Sequence, residues 1–371
     1  MNRPRTCIVV PRLVDAENNN AQCLNARAML SRFGTESAAW YAVYHGKPDP
    51  KVVANPRVHL SRLWRRRLWQ PGMVLHYLRR ADALFYPGIE WMDAAGTALA
   101  ARVWRKRPVI ATLEGIAGTG DREKALSRWA GHDVPCQPVP PRVQDRIDSI
   151  LKQADHIIAI SQFLARMGRH LYGDKFSVQS LGIDAETFFA GGGDGRRARP
   201  LVLTVGTVTA RKRPEVMLGL ASAIPEADFL WLGAGPSLEE MRIRARESPA
   251  RNVHFPGPAS PSAVATWMRT ATVFALPSLS EGVPKVAQEA AACGLPVVLF
   301  GQYEAPTVVD DENGFVVWTD EAFQSRVREL VEDGDKARRL GARGAEMALE
   351  WAWDVVAPRW ERLVLERARR T

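Results

Sequence analysis

The sequence predicts an α/β chain of two doubly wound domains in tandem, facing across a cleft. Three observations carry that reading. The chain has 371 residues, 46% of them hydrophobic, which is too much for one ordinary core and suits two. Short apolar runs alternate with helix-length patterns, as βαβ units require. Near the middle, Gly191–Gly195 and the polar Arg196–Arg199 form the best linker in the sequence. The expected division is a first domain over 1–190, a linker over 191–200, and a second domain over 201–350. A Trp-rich C-terminal helix, 351–371, is expected to pack back toward the first domain.

Strands are expected in the first domain at Thr6–Val10, Ala39–Val43, Ala83–Tyr86, Val109–Leu113 and His156–Ile160. The second domain reads more cleanly. Leu201–Val205 is a strand, Pro214–Ala223 a helix, Phe229–Leu232 a strand and Leu238–Arg246 a helix. Val253–Phe255, Thr272–Leu276 and Pro296–Phe300 read as strands, with a helix over Pro261–Arg269. The last helix runs from about Pro284 to Cys293: proline suits its first turn, Gly294 the position past its end, and Pro296 forbids continuation. Ligands of such sheets bind outside the carboxyl ends of the strands.

Composition removes several classes. The four cysteines, Cys7, Cys23, Cys136 and Cys293, show no CxxC and no histidine at ligand spacing, so neither a disulfide framework nor a zinc site is expected. The seven histidines, His132 and His254 among them, make no metal pattern. Cys7–Val10 is too short for a signal-peptide core, and no run approaches a spanning helix. A cytoplasmic protein, soluble or lying on a membrane surface, is expected. Residues 1–190 hold 27 Lys+Arg against 17 Asp+Glu, whereas the remainder holds 23 against 24. The positive excess therefore belongs to the first half and points to a partner there.

The densest chemistry lies in "PSLSEGVPKVAQEAAACGLPVV", Pro277–Val298, where Glu281 and Glu289 stand eight residues apart. The helix start offers free N–H groups and a positive dipole end to a phosphate, and Lys285 adds a charge. One carboxylate on each side can accept sugar hydroxyls; equally, both acids can face solvent. Upstream, "TVGTVTARKRPE" places Arg211, Lys212 and Arg213 at a strand's carboxyl end, which suits a diphosphate or a solvated basic turn. "WLGAGPSLEEM" opens like a dinucleotide fingerprint at Gly233 and Gly235, but residue 238 is Leu, so the signal is weak. Those glycines can admit a ligand close to backbone, or simply form a tight turn.

Taken in order, VG-x5-K, WLGAGP, VHFPG, VFALPSLSEG-x6-E, ACGLPVV and ENGFVV resemble the family 4 retaining nucleotide-sugar glycosyltransferases, which have two Rossmann-like domains in the GT-B arrangement. The likeness covers about residues 200–360, with fainter echoes at Ala154–Phe163 and Leu181–Phe188. It implies a hexosyltransferase. Arg211 and Lys212 match the pair expected to hold the donor diphosphate, and Glu289 the acid expected on the ribose hydroxyls. Glu281 matches the acid expected near the transferred sugar. Gly282 and Val283, with Gly206, Gly233 and Lys285, fall where the donor is contacted. The resemblance implies no metal or other cofactor. It also departs from the family at Thr207, where many relatives carry Arg, and at Pro284-Lys285, where many carry Gly-Leu. Glu114 stands where a histidine is common and becomes a candidate toward acceptor or sugar. Asn18–Asn20 replaces the usual glycine pair after the first strand.

Residues 57–80 hold seven arginines and no acid, with Trp64, Leu68 and Trp69 interleaved, and Arg102–Arg107 repeats the flavour. This suits docking on an anionic membrane or an ordinary surface helix. No recognition signature for nucleic acid accompanies it. The expected activity is hexose transfer from a UDP- or GDP-sugar to a lipid-linked or saccharide acceptor in surface polysaccharide or glycolipid synthesis. The alternatives are a nucleotide-sugar epimerase and a non-catalytic basic binding module.

Overall fold

A computed structural model describes residues 6–9, 21–34, 39–44, 46–62, 81–88, 108–115, 140–191, 198–303 and 305–369. They divide into two compact units. The first takes the described residues up to Gly115, those from Pro140 to Gly182, and Trp353–Arg369; the second takes Ile183–Ala352. The chain thus leaves the first unit upstream of the Gly191–Gly195 run. The reason is burial: Ile183 and Phe188 already belong to the second unit's core.

The first unit holds a seven-stranded sheet in the order β3-β2-β1-β4-β5-β6-β7. Its strands are β1 (Thr6–Val9), β2 (Trp40–Tyr44), β3 (Val58–Arg62), β4 (Ala81–Tyr86), β5 (Val109–Leu113), β6 (His156–Ala159) and β7 (Phe176–Val178). All neighbours pair in parallel. β3 is an addition to the sequence reading and a correction. The opening of the Arg/Trp segment is an edge strand, with Val58 beside Trp40 and Arg62 beside Tyr44. Residues 63–80, Arg102–Arg107, Asn18–Asn20 and His132 lie outside the described residues.

The helix Trp353–Arg369 completes this unit. Its Trp360 and Glu361 are fully buried. Glu361 accepts hydrogen bonds from the Gly34 amide at 2.8 Å and the Trp40 indole at 3.2 Å, and the Trp360 indole donates to the Ser180 carbonyl at 2.8 Å. A buried carboxylate is tolerated only with such donors around it. Arg32, on the helix Ala21–Arg32, meets Asp354 at 2.5 Å.

The second unit holds a six-stranded parallel sheet in the order β10-β9-β8-β11-β12-β13. These are β8 (Leu201–Val205), β9 (Asp228–Leu232), β10 (Val253–Gly257), β11 (Val273–Leu276), β12 (Val297–Phe300) and β13 (Gly314–Val317). β11 and β12 are buried throughout, as strands covered by helices on both faces must be. The strand order reverses direction between β8 and β11, so the loops leaving these two neighbours diverge and open a crevice at the carboxyl edge. No helix among the described residues is long and apolar enough to cross a membrane.

Candidate active site

Two loops flank that switch point, one after β8 and one after β11. The first passes through Gly206 into a short 3-10 turn, Ala210–Lys212, which Arg213 closes in the left-handed region at φ 55°. The second runs from Pro277 to Pro284 and feeds the helix Lys285–Ala292. Between them the chain joins three of the expected residues. Lys212 Nζ donates to Glu281 Oε1, Arg211 Nη1 donates to the Ser280 carbonyl, and Arg211 Nη1 also lies 3.6 Å from Glu281 Oε2.

Lys212 and Glu281 keep only 10% and 11% of their side chains exposed, so their electrostatics are those of a desolvated pair. Burial pushes the Lys212 ammonium down, and the Glu281 charge opposes it. Burial alone would raise Glu281, yet Lys212 and then Arg211 outweigh it and hold the carboxyl below the usual range. Arg213, the third cation of the run, turns away. It forks onto Asp320, at 2.8 and 2.5 Å, and its guanidinium lies over the Phe300 ring at 5.4 Å. The basic run therefore supplies two cations to the crevice, not three.

The glycines separate in the same way. Gly206 sits at φ 152°, a backbone conformation other residues rarely adopt, and a Cβ there would make only ordinary contact with Lys212, 3.6 Å from Nζ. A Cβ on Gly233 would fall 1.9 Å from the Gly206 carbonyl oxygen, and one on Gly235 2.3 Å from that of Val208. The space a side chain would take at Gly233 is thus filled by the protein's own backbone, which is why glycine stands there.

The helix Lys285–Ala292 begins at Pro284, which caps it without a side-chain hydrogen bond. Ala287, Ala290 and Ala291 are fully buried, so the helix lies close on its neighbours. Gly282 and Val283 are half-buried in the loop before it, and Lys285 is half-buried in its first turn. Glu289 sits mid-helix. Burial is the main cause that pushes its carboxyl up to about 7; Lys285 pulls the other way and Asp184 adds to the rise. Asp184 lies in the "LGIDAETF" echo, and no charge pattern in the sequence joined it to Glu289. Tyr303 and Ser278 were likewise missed, because nothing local distinguishes a core hydroxyl from one beside a site.

Glu114 belongs to the first unit, at the carboxyl end of β5. Thr112 Oγ1 lies 3.4 Å from its Oε1 and Asn25 Nδ2 3.5 Å from its Oε2. His254 is exposed on β10. Among the described residues there is no cluster of three or more His, Cys, Asp or Glu able to hold a metal ion.

Residues 194–347 match the family model described as glycosyl transferases group 1. A D-inositol 3-phosphate glycosyltransferase of Xylanimonas cellulosilytica is 29% identical, over 92% of this chain and 90% of its own. The chain is a GT-B glycosyltransferase. A Corynebacterium glutamicum protein named GDP-mannose-dependent monoacylated alpha-(1-6)-phosphatidylinositol monomannoside mannosyltransferase is 24% identical to this glycosyltransferase, over 67% of this chain and 72% of its own. The solved structure of Anabaena HepE in complex with UDP and glucose shares the fold, with a TM-score of 0.72, 14% identity, and coverage of 98% of this chain and 100% of that one. In the glycosyltransferase, the ion cluster sits where its sheet opens and where a helix begins. Two cations and a helix start can neutralise charge developing on a leaving diphosphate.

Proposed function

We propose that this glycosyltransferase moves a hexose, with retention, from a nucleoside diphosphate sugar to a lipid-linked or saccharide acceptor in glycolipid or surface-polysaccharide synthesis. The observation that carries the reading is the Lys212–Glu281–Arg211 cluster at the switch point of the second sheet. Lys212 and Arg211 take the diphosphate, and the start of the helix Lys285–Ala292 and Lys285 assist. Glu281 meets the transferred sugar and Glu289 the ribose hydroxyls, each as an acceptor of hydrogen bonds. Gly282 and Val283 contribute backbone beside the sugar. Glu114 serves the acceptor side. The names of the relatives support a nucleotide-sugar donor: GDP-mannose in the Corynebacterium protein's, UDP in the HepE complex's. The reaction on this reading needs no metal.

Thermal unfolding of the purified chain across UDP, GDP and their hexose conjugates tests the reading. One nucleoside diphosphate should raise the melting temperature, as any ligand of the native state does. If neither does, the reading is wrong. Turnover of donor with no acceptor present would favour an epimerase instead. We also assign the Arg/Trp segment 57–80, beyond its strand residues, to an anionic membrane at the cytoplasmic face. Co-sedimentation with phosphatidylglycerol vesicles that weakens with salt is the expected result.

A further inference from the structure

Two buried hydroxyls stand at the carboxyl edge that carries the ion cluster, and one of them already lies close to Glu281. Tyr303 follows β12, so it stands at the same carboxyl edge as the loop carrying Glu281. Its ring belongs to the second unit's core at 2% exposed, and its Oη is covered with no hydrogen-bond partner among the described residues. Ser278 opens the loop after β11 and is fully buried. At strict geometry its Oγ makes no hydrogen bond, yet it lies close enough to Glu281 to help hold that carboxyl down. The Tyr303 phenol is pushed well up, by burial first and by the Glu281 charge second. A covered O–H without an acceptor is unfavourable, so an arrangement that brings one is favoured. The acceptor whose charge reaches Tyr303 is Glu281, and in this structure Lys212 and Arg211 occupy it.

We propose that Tyr303, with Ser278, is the seat Glu281 turns to when a nucleoside diphosphate draws Lys212 and Arg211 onto its phosphates, which makes Tyr303 a positioning residue for Glu281 in the donor-bound enzyme. This rests on the nucleotide-sugar reading above. Charge drives the exchange. Two cations now serve one carboxylate, and a diphosphate carries at least two negative charges that compete for both. Glu281 would then be a buried carboxylate without a cation, which is costly unless other donors take it. Two hydroxyls in the same wall supply them, and O–H donors to a carboxylate make short, strong hydrogen bonds. A carboxylate held on one side by hydroxyls keeps its remaining lone pairs for the hydroxyls of a sugar.

The test is Tyr303→Phe in the full chain, with UDP and GDP titrated calorimetrically, repeated in a Glu281→Gln background. Three results are expected. The melting temperature without nucleotide is unchanged or raised, because the deleted hydroxyl has no partner. Affinity for the stabilising nucleotide falls five- to twentyfold. In the Glu281→Gln background the same substitution changes affinity less than twofold. The proposal is overturned if Tyr303→Phe binds the nucleotide as the unsubstituted chain does. It is also overturned if the loss is equal in both backgrounds, since Tyr303 would then act by shape alone. Failure of the unsubstituted chain to bind either nucleotide would instead remove the nucleotide-sugar reading, and this proposal with it.

Discussion

Glu281 and Glu289 stand eight residues apart on one loop-and-helix segment, and the fold gives them opposite electrostatics. Glu281 is desolvated but faces two cations, so it stays ionised and its carboxyl is held down. Glu289 is desolvated with Lys285 as its main relief and Asp184 against it, so its carboxyl climbs to about 7. Burial acts on both in the same direction; the partners decide the outcome. The loop end of the segment is therefore an anchored charge. The helix middle is a charge held in reserve, which an incoming group that donates hydrogen bonds would stabilise.

The largest effect should come from Lys212→Ala, which strips the anchored acid of its closest cation. Removing one member of a buried pair costs about 3 kcal/mol, and denaturant unfolding should show it. Nucleoside diphosphate affinity should fall by roughly 10- to 100-fold, the worth of a charged hydrogen bond. An unchanged midpoint would mean that the pair contributes nothing, and the comparison would break.

The next effect separates the two acids by sign. Glu281 has a lowered native pKa, so its ionisation stabilises the fold, and that stability is lost only as pH falls through the acid range. Glu281→Gln should therefore destabilise at neutral pH, with the gap closing only in strong acid. Glu289 has a raised native pKa of about 7, so its ionisation opposes folding increasingly as pH rises from the ordinary carboxylate range through 7. Glu289→Gln should stabilise the protein by roughly 3 kcal/mol at pH 8, by under about 1 kcal/mol at pH 5 and by almost nothing near pH 4. Melting curves of both variants across pH check the contrast. If both variants move the same way at pH 8, the two environments are not opposed.

A smaller effect concerns binding. If the ribose needs the Glu289 carboxylate, nucleoside diphosphate affinity should rise by roughly tenfold between pH 6 and pH 8, as expected for one group titrating near 7. Glu289→Gln should flatten the profile. The smallest effect is expected at Glu114, in the other unit: Glu114→Gln should leave nucleotide affinity within about twofold and lower transfer to the acceptor. A loss of nucleotide affinity there would return Glu114 to the donor side.

In the second sheet β8, β9, β11 and β12 were legible because they are almost wholly buried and read as unbroken apolar runs, whereas β13, at the edge, was not read as a strand. Nor were the first sheet's β3 and β7. β3 is an edge strand whose "VHLSR" alternates apolar and polar residues inside an arginine-rich stretch, and β7 has three residues. At the site, the order of motifs placed Arg211, Lys212 and Glu281 together before any geometry was known. The local pattern offers three adjacent cations and the resemblance singles out Arg211 and Lys212; the 3-10 turn and the left-handed Arg213 send the third to Asp320.

The helix Trp353–Arg369 makes the first unit discontinuous, with the whole of the second unit inserted before its last element. On the ribosome the second sheet can close while the first still lacks Trp360 and the Glu361 acceptor for Gly34 and Trp40. Until those residues emerge, the Trp40 indole and the Gly34 amide wait without their acceptor, so the first unit cannot be completed before the whole of the second has been synthesised. Anyone wishing to isolate the first unit must carry residues 353–369 with it, joined across the excised insert.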